Sequence, residues 1–166
     1  MKELNPAHLG AVIDLINRSG FFSLLSLDVK ALDYGSCRLE IALESKHANP
    51  FGGLHGGVYA AAIDTAAYWA AYCRAPEGAG LISLDLHVDN LAPAQGTRLF
   101  VEGRQIKEGR TVCLCEGTVR DEDGRLLACG TSKQVVVPGL QTIAQAAEAM
   151  GIETLPPKFL DGSEEA

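Results

Sequence analysis

Asp64 is the residue of this chain best suited to chemistry. It is the only ionisable carboxylate between Leu54 and Cys73, and it lies within the most apolar run, Val58 to Cys73. A lone charge in such surroundings is expensive unless it has partners or a purpose. The pair Gly56-Gly57 falls where that run would begin as a helix, and glycine lets another group approach the backbone closely. The first N–H groups of a helix are unpaired and sit at its positive end, which suits them to hold a developing oxyanion. His55 precedes the pair, and Asn49 lies six residues before His55. A carboxylate, an oxyanion donor and two flanking hydrogen-bonding side chains are complementary parts of one acyl-transfer site. Each also has a plainer reading. A mid-helix Asp can bond to a neighbouring Ser or Thr, a Gly pair can serve a turn, and a His can be a structural hydrogen-bonder.

The elements that would position these residues follow from periodicity. Leu9, Val12, Ile13 and Ile16 share one face of a helix over residues 5–18, with Asn5 as cap, Pro6 in the first turn and Gly20 at the end. Phe21 to Leu27 reads as another short turn. From Val29 the period becomes two, and Leu39, Ile41 and Leu43 alternate with charged residues as in a half-buried strand. Gly35 marks a turn between two strands. Ser45 to Gly53 reads as a loop before the apolar helix, and Ala75 to Gly80 as a loop after it. Ile82, Leu84, Leu86 and Val88 then alternate with Ser83, Asp85, His87 and Asp89, the clearest strand in the chain. Residues 97–106 and 111–120 form two more, and Asp123-Gly124 signals a hairpin into a last strand, Leu126 to Val137. The last four strands follow one another through short connections, which predicts antiparallel pairing among them. A helix that is apolar on nearly every side must be wrapped. The expected fold class is α+β, a curved antiparallel sheet wrapped around a long central helix. Residues 1–137 would form this domain with its N-terminal helix, and 138–166 a small C-terminal helix and an acidic, frayed tail.

Composition narrows the function. The chain has 166 residues, enough for one compact domain, and 47% of them are hydrophobic, enough for a sizeable core. A net charge of −7 argues against broad nucleic-acid binding. It leaves room for a small anionic ligand where basic side chains cluster. The N-terminus has no secretory pattern. The apolar run is shorter than the ~20 residues of a membrane span, so no membrane partner is expected. Five cysteines, an odd number with no CxxC pair, fit a reducing cytoplasm. Cys113 and Cys115 would share a strand face and with His87 can be imagined as metal ligands. The plainer reading is buried small hydrophobes, and no metal is expected.

The segment from Asn49 through His55-Gly56-Gly57 to Asp64, nine residues after the His, resembles the active-site element of hot-dog-fold thioesterases of the PaaI-like, phenylacetic-acid-pathway group. The resemblance continues in the strand Ile82 to Leu91 followed by Ala92-Pro93-Ala94, the hairpin Asp121 to Gly124 and the strand through Gly130-Thr131. It spans roughly residues 20–137. It implies that Asp64 is the nucleophile or the general base that activates water. It implies too that the Gly57 N–H holds the thioester oxygen, that His55 and Asn49 position the carbonyl or the water, and that Ser83 helps to orient the water. Gly56, Thr65, Lys107 and Arg110 would contribute to substrate binding. The implied substrate is an acyl-CoA, with coenzyme A as part of the substrate and no separate cofactor. One departure is Ala92, where many members carry a basic residue. Arg98, Arg104, Lys107 and Arg110 offer positive charge nearby.

Geometry adds an expectation independent of family. Gly57 and Asp64 are seven residues apart, so along one helix they are separated by ~10 Å. That is too far for both to act on one carbonyl. Two copies of the helix packed antiparallel would bring Gly57 of one to Asp64 of the other, giving two equivalent sites in a homodimer. Further pairing of sheets would give a tetramer. Phe51, Tyr59, Tyr68 and Trp69 are candidates to line an acyl or aryl pocket, though aromatic residues on this helix equally serve the core. The competing readings are an acyl-CoA-binding hot-dog protein without turnover and, ranked below it, a hot-dog dehydratase or hydratase, for which no suitable His–acid pairing is present.

Overall fold

The structure is a computed structural model, and residues 3–109, 111–137, 139–152 and 154–160 are described. In chain order its elements are α1 (Pro6–Asn17), α2 (Gly20–Leu25), β1 (Leu27–Asp33), β2 (Ser36–Ala42), a short 3-10 turn (Ser45–His47), α3 (Gly56–Arg74), β3 (Leu81–Asn90), β4 (Arg98–Lys107), β5 (Val112–Arg120), β6 (Leu126–Val136) and α4 (Ile143–Ala149). Asn5 caps α1 by accepting from the Ala7 N–H at 3.0 Å. Gly20 does not end α1. α1 closes earlier, at its C-cap Arg18, and Gly20 opens α2, which ends at Ser26 in the left-handed region at φ 51°.

The sheet runs β1-β2-β4-β5-β6-β3, and every neighbouring pair is antiparallel. The antiparallel pairing expected among the last four strands holds, but they do not lie in chain order. β3 lies at an edge against β6, and β4 lies beside β2. The reason is α3, which carries the chain from β2 across the sheet to the far edge. The stretch 91–97 then returns past two strands. Three strand spacings amount to ~14 Å, within reach of seven extended residues at ~3.3 Å each.

A row of glycines lets α3 sit close to the sheet. Gly103, Gly117 and Gly130 are register partners on β4, β5 and β6. A Cβ on Gly103 would overlap the Ala66 carbonyl, and one on Gly117 would lie 3.0 Å from Ile63 Cγ2. A Cβ on Gly130 would meet the His87 carbonyl and stand 3.3 Å from Ile63 Cγ2. Around this row α3 buries Ala62, Ile63, Ala66, Ala67 and Ala70 against Leu39, Ile41, Leu99, Val101 and Leu127. Small alanines and absent Cβ atoms together make a close contact.

The C-terminal end of α3 is closed by Lys158, which is 1% exposed. Its Nζ donates to the Tyr72 carbonyl and, at 2.7 Å, to the Ala75 carbonyl, two of the acceptors a helix end leaves open. The charge also lies 4.0 Å from the Tyr72 ring centroid. Burial pulls this ammonium down to about 8 from its ordinary 10.5, a shift that nearby Cys73 and Glu77 oppose.

Two expectations follow. Gly103→Ala lowers stability by ~1–3 kcal/mol through overpacking against α3. Gly10→Ala, on a helix where nothing stands within 4 Å of the new methyl, raises it by up to ~1 kcal/mol; equilibrium urea unfolding compares the two. For Lys158, the unfolded chain keeps its proton up to the ordinary lysine range, whereas the folded chain releases it near 8. Stability therefore rises with pH across that window. Relative to Lys158→Met, the wild type gains about 2 kcal/mol between about pH 7.5 and about pH 9.5, read from denaturation midpoints at each pH.

Candidate active site

The site helix begins at His55-Gly56-Gly57. His55 is the N-cap of α3, and its Nδ1 accepts from the Gly57 N–H at 2.9 Å. With that lone pair engaged, a neutral His55 carries its hydrogen on Nε2, where it is available as a donor. The Gly57 N–H is therefore shared with the cap rather than left open. A Cβ on Gly57 would stand 2.9 Å from the same Nδ1, so a larger residue would push the ring away. Gly56 faces Asn90, whose Nδ2 would lie 2.9 Å from a Cβ there.

Asn49 shapes the loop that delivers His55. Its Oδ1 accepts from the N–H groups of Phe51 at 2.9 Å and Gly53 at 3.2 Å, and its Nδ2 donates to the Leu54 carbonyl at 3.3 Å. Asn49, Gly56, Tyr59, Asn90 and Ala92 all line one cleft of about 390 Å³ at the start of α3. Tyr59 is buried and donates to the Ala92 carbonyl at 3.2 Å, which ties the helix to the chain leaving β3.

Asp64 lies two turns into α3 and is half-buried. The sheet wraps the opposite side of the helix, so the face of Gly57, Ala60, Ala61, Asp64 and Tyr68 stays partly open. Ser83 on β3 reaches this face, its Oγ 2.9 Å from Asp64 Oδ1. The structure thus brings Asp64 and Ser83 together, and sets His55, Gly56, Gly57 and Asn49 at the other end of the same open face. Thr65 is 8% exposed and turned into the protein. Lys107 ends β4, exposed. Arg110 lies outside the described residues. Arg98 and Arg104 lie on the sheet face turned away from α3, paired with Glu40 at 3.2 Å and with Glu116.

Of the aromatic candidates, Phe51 is 97% exposed on its loop. Tyr68 and Trp69 are half-buried and, with Phe22, Tyr72, Ile143 and Met150, line an apolar cavity of about 290 Å³. Tyr68 stands one turn beyond Asp64. Burial, and second the Asp64 charge, push its phenol above the ordinary tyrosine value. His87 on β3 faces Asp89 at 3.4 Å, and among the described residues no group of three or more His, Cys, Asp and Glu side chains could hold a metal ion.

Sequence reading missed Gln134 and Ser132. Both are fully buried and project from β6 toward the underside of Ser83. A signal existed. They keep the inward phase of Gly130 in a period-two strand, so two polar residues face the core. Asn90 gave no such signal.

Comparison with known proteins bears directly on this geometry. The family model described as the thioesterase superfamily matches residues 51–128, which hold Asp64, Ser83 and every cleft residue named above except Asn49. A putative esterase of Halobacterium salinarum is 32% identical over 109 residues, covering 63% of this chain and 72% of its own. The chain belongs to the thioesterase superfamily. Thioester hydrolysis is accordingly its class of chemistry. Mouse acyl-coenzyme A thioesterase 13 is 29% identical over 93 residues, 55% of this chain and 66% of that protein's length. The crystal structure of a phenylacetic acid degradation-related putative thioesterase from Ralstonia eutropha superposes with a TM-score of 0.67 at 26% identity, covering 76% of this chain and 98% of that one. The fold of this thioesterase-superfamily chain is the hot-dog fold, a curved six-stranded antiparallel sheet around α3.

The His55 cap gives a direct test of how the site helix is anchored. His55→Ala removes the side-chain acceptor of the Gly57 N–H and is expected to lower stability by about 1 kcal/mol. Chemical denaturation measures this, and His55→Asn restores most of it, since Asn is a good cap.

Proposed function

We propose that this chain hydrolyses acyl-CoA thioesters, with Asp64 acting on the thioester carbonyl and the start of α3 from a second copy holding the oxygen. The observation that carries this reading is the open face of α3, with a carboxylate held by Ser83 at one end and the His55–Gly57 helix start at the other. Water attacks the carbonyl carbon as Asp64 takes its proton, or Asp64 attacks first and water releases the acid. In both routes the C–S bond breaks and CoA leaves as the thiol. The Gly57 N–H, shared with His55 in the free protein, turns to the developing oxyanion, and His55 Nε2–H and the positive end of α3 assist.

Pairing of copies is supported by three features. Gly57 and Asp64 lie on one continuous 19-residue helix, so they are ~10 Å apart within a chain. The face between them carries only small residues, Ala60 and Ala61. β3 is an edge strand, yet Ile82, Leu84, Leu86 and Leu91 on it or just beyond it are 46%, 56%, 38% and 55% exposed. An apolar exposed edge invites a second strand. Antiparallel pairing of two β3 strands would cover it and set two α3 helices side by side.

The acyl group is assigned to the apolar cavity beside Tyr68. At about 290 Å³ it is at the small end of ligand pockets, which suits compact acyl or aryl groups. The mouse relative's name, acyl-coenzyme A thioesterase 13, supports CoA as the thiol.

CoA release measured across acetyl-, hexanoyl-, benzoyl- and palmitoyl-CoA is the test. The wild type is expected to turn over the compact substrates, and Asp64→Ala to lose at least ~100-fold in kcat. Equal rates for the two proteins would overturn the role of Asp64, and tight binding without turnover would establish a binding protein instead. Mixing Asp64→Ala with Gly57→Pro chains should restore one working site per mixed dimer, since proline is tolerated in a first helical turn. Folded mixtures that stay inactive would refute the shared site.

A further inference from the structure

Behind Asp64 and Ser83 runs a chain of polar groups that the reaction described above does not use. Ser83 Oγ lies 2.9 Å from Asp64 Oδ1 and also 2.9 Å from Gln134 Oε1. Gln134 Nε2 lies 2.8 Å from Ser132 Oγ, and Ser132 Oγ lies 2.7 Å from the Asp85 carbonyl oxygen. Gln134 and Ser132 are both fully buried. The line therefore passes from the site into the core and ends on backbone.

The ends of this chain are unlike. The Asp85 carbonyl can only accept, and a hydroxyl has one hydrogen to give. While Ser132 donates to Asp85, its oxygen must receive from Gln134 Nε2–H. That turns Gln134 Oε1 toward Ser83, which then donates to Gln134. Ser83 has no hydrogen left for Asp64 and offers it a lone pair, an arrangement suited to a protonated Asp64. The chain has one other consistent sense, in which the Asp85 carbonyl gives up the Ser132 hydrogen. Ser132 turns that hydrogen to Oε1, the amide turns over so that Nε2–H donates to Ser83, and Ser83 donates its hydrogen to an ionised Asp64, a charge-assisted bond that offsets the one lost at Asp85. Sequence and geometry place this device at the β3 bulge between Ser83 and Asp85. The bulge re-aims one strand so that Ser83 faces the helix while the Asp85 carbonyl faces Ser132.

We propose that Gln134 is a positioning residue for Asp64: its buried amide fixes the direction of the Ser83 hydroxyl and reverses it as Asp64 gains or loses a proton. This deepens the reading of Asp64 given above and rests on it. No group other than water and the thioester is needed. The proton that leaves the attacking water rests on Asp64, and the CoA sulfur takes it as the C–S bond breaks. Gln134 exchanges no proton of its own. It supplies one acceptor and one donor, and a side chain that is neutral, planar and able to turn over does both.

Steady-state hydrolysis of the best acyl-CoA of the panel, for Gln134→Met, Ser83→Ala and the double variant, reads this coupling. Gln134→Met is expected to lower kcat about 10-fold with KM changed less than about 2-fold, the loss of one directed hydrogen bond to a charged group. In the Ser83→Ala background the same change should alter kcat by less than about 2-fold, because Gln134 has nothing left to act through. Losses that multiply across the two positions would overturn the proposal and leave Gln134 as packing. Gln134→Glu supplies a second readout that survives if the Met variant does not fold. A protonated Glu keeps one acceptor and one donor, whereas an ionised Glu keeps only acceptors. Its rate relative to wild type should therefore recover at low pH and fall as pH rises, and a ratio flat with pH would sink the idea. Asp64→Ala separates the two readings. If it is as active as wild type, the assignment of Asp64 fails. If it is inactive while the Ser83 and Gln134 losses multiply, only the role of Gln134 fails.

Discussion

The close approach of α3 to the sheet is the contact on which the rest of this structure depends. It exists because three adjacent strands carry glycine at one register position, beneath Ile63 and Ala66. A side chain in that row would lift the helix by the depth of a methyl group or more. Asp64 follows Ile63 directly, so the depth of the helix also sets the height of the carboxylate relative to Ser83. Packing and chemistry are thus adjusted by the same row, and interiors this dense transmit such displacements.

The second constraint is polar. Most inward positions of the sheet are apolar, but β6 presents Ser132 and Gln134 to the core close to the site. Buried polar groups are tolerated only when satisfied. Here each finds a partner along the line from Asp64 to the Asp85 carbonyl. An apolar pair would pack equally well and would leave Ser83 free to rotate. On the role proposed for Gln134, this line is what fixes the orientation of Ser83. At the far end of α3, Lys158 closes the last turn from within, so the helix is held at both ends by side chains, His55 and Lys158, that satisfy its open backbone groups.

What the fold leaves open is as informative as what it closes. The sheet covers one side of α3 and leaves a face running from Gly57 to Tyr68. The β3 edge beside it is apolar and exposed. The separation of Gly57 from Asp64 along one helix is the ground for the reaction centre proposed above, assembled from the ends of two helices. The apolar cavity at Tyr68 and Trp69 owes one wall to α4, beyond the 51–128 stretch that the family model matches.

Sequence alone determined the elements and singled out the candidate carboxylate. Period-two and helical patterns are local, so all six strands, α1, α3 and α4 were legible to within a few residues, and Asp64 stood out as the one carboxylate in an apolar run. His55-Gly56-Gly57 was legible as a helix start because capping is also local. Strand order was not, since a short connection can lead to a neighbour or across a sheet, and only the path of α3 decides which. The alternation in β3 reads as one buried face, yet Ile82, Leu84 and Leu86 are exposed, because a bulge and an edge position depend on what lies alongside. That the Gly57 N–H is already shared with His55, and that Ser83 is backed by Gln134 from fifty-one residues away, are facts of three-dimensional proximity. Hydrogen bonds are directional and short, and no spacing along the chain encodes which distant side chain will complete one.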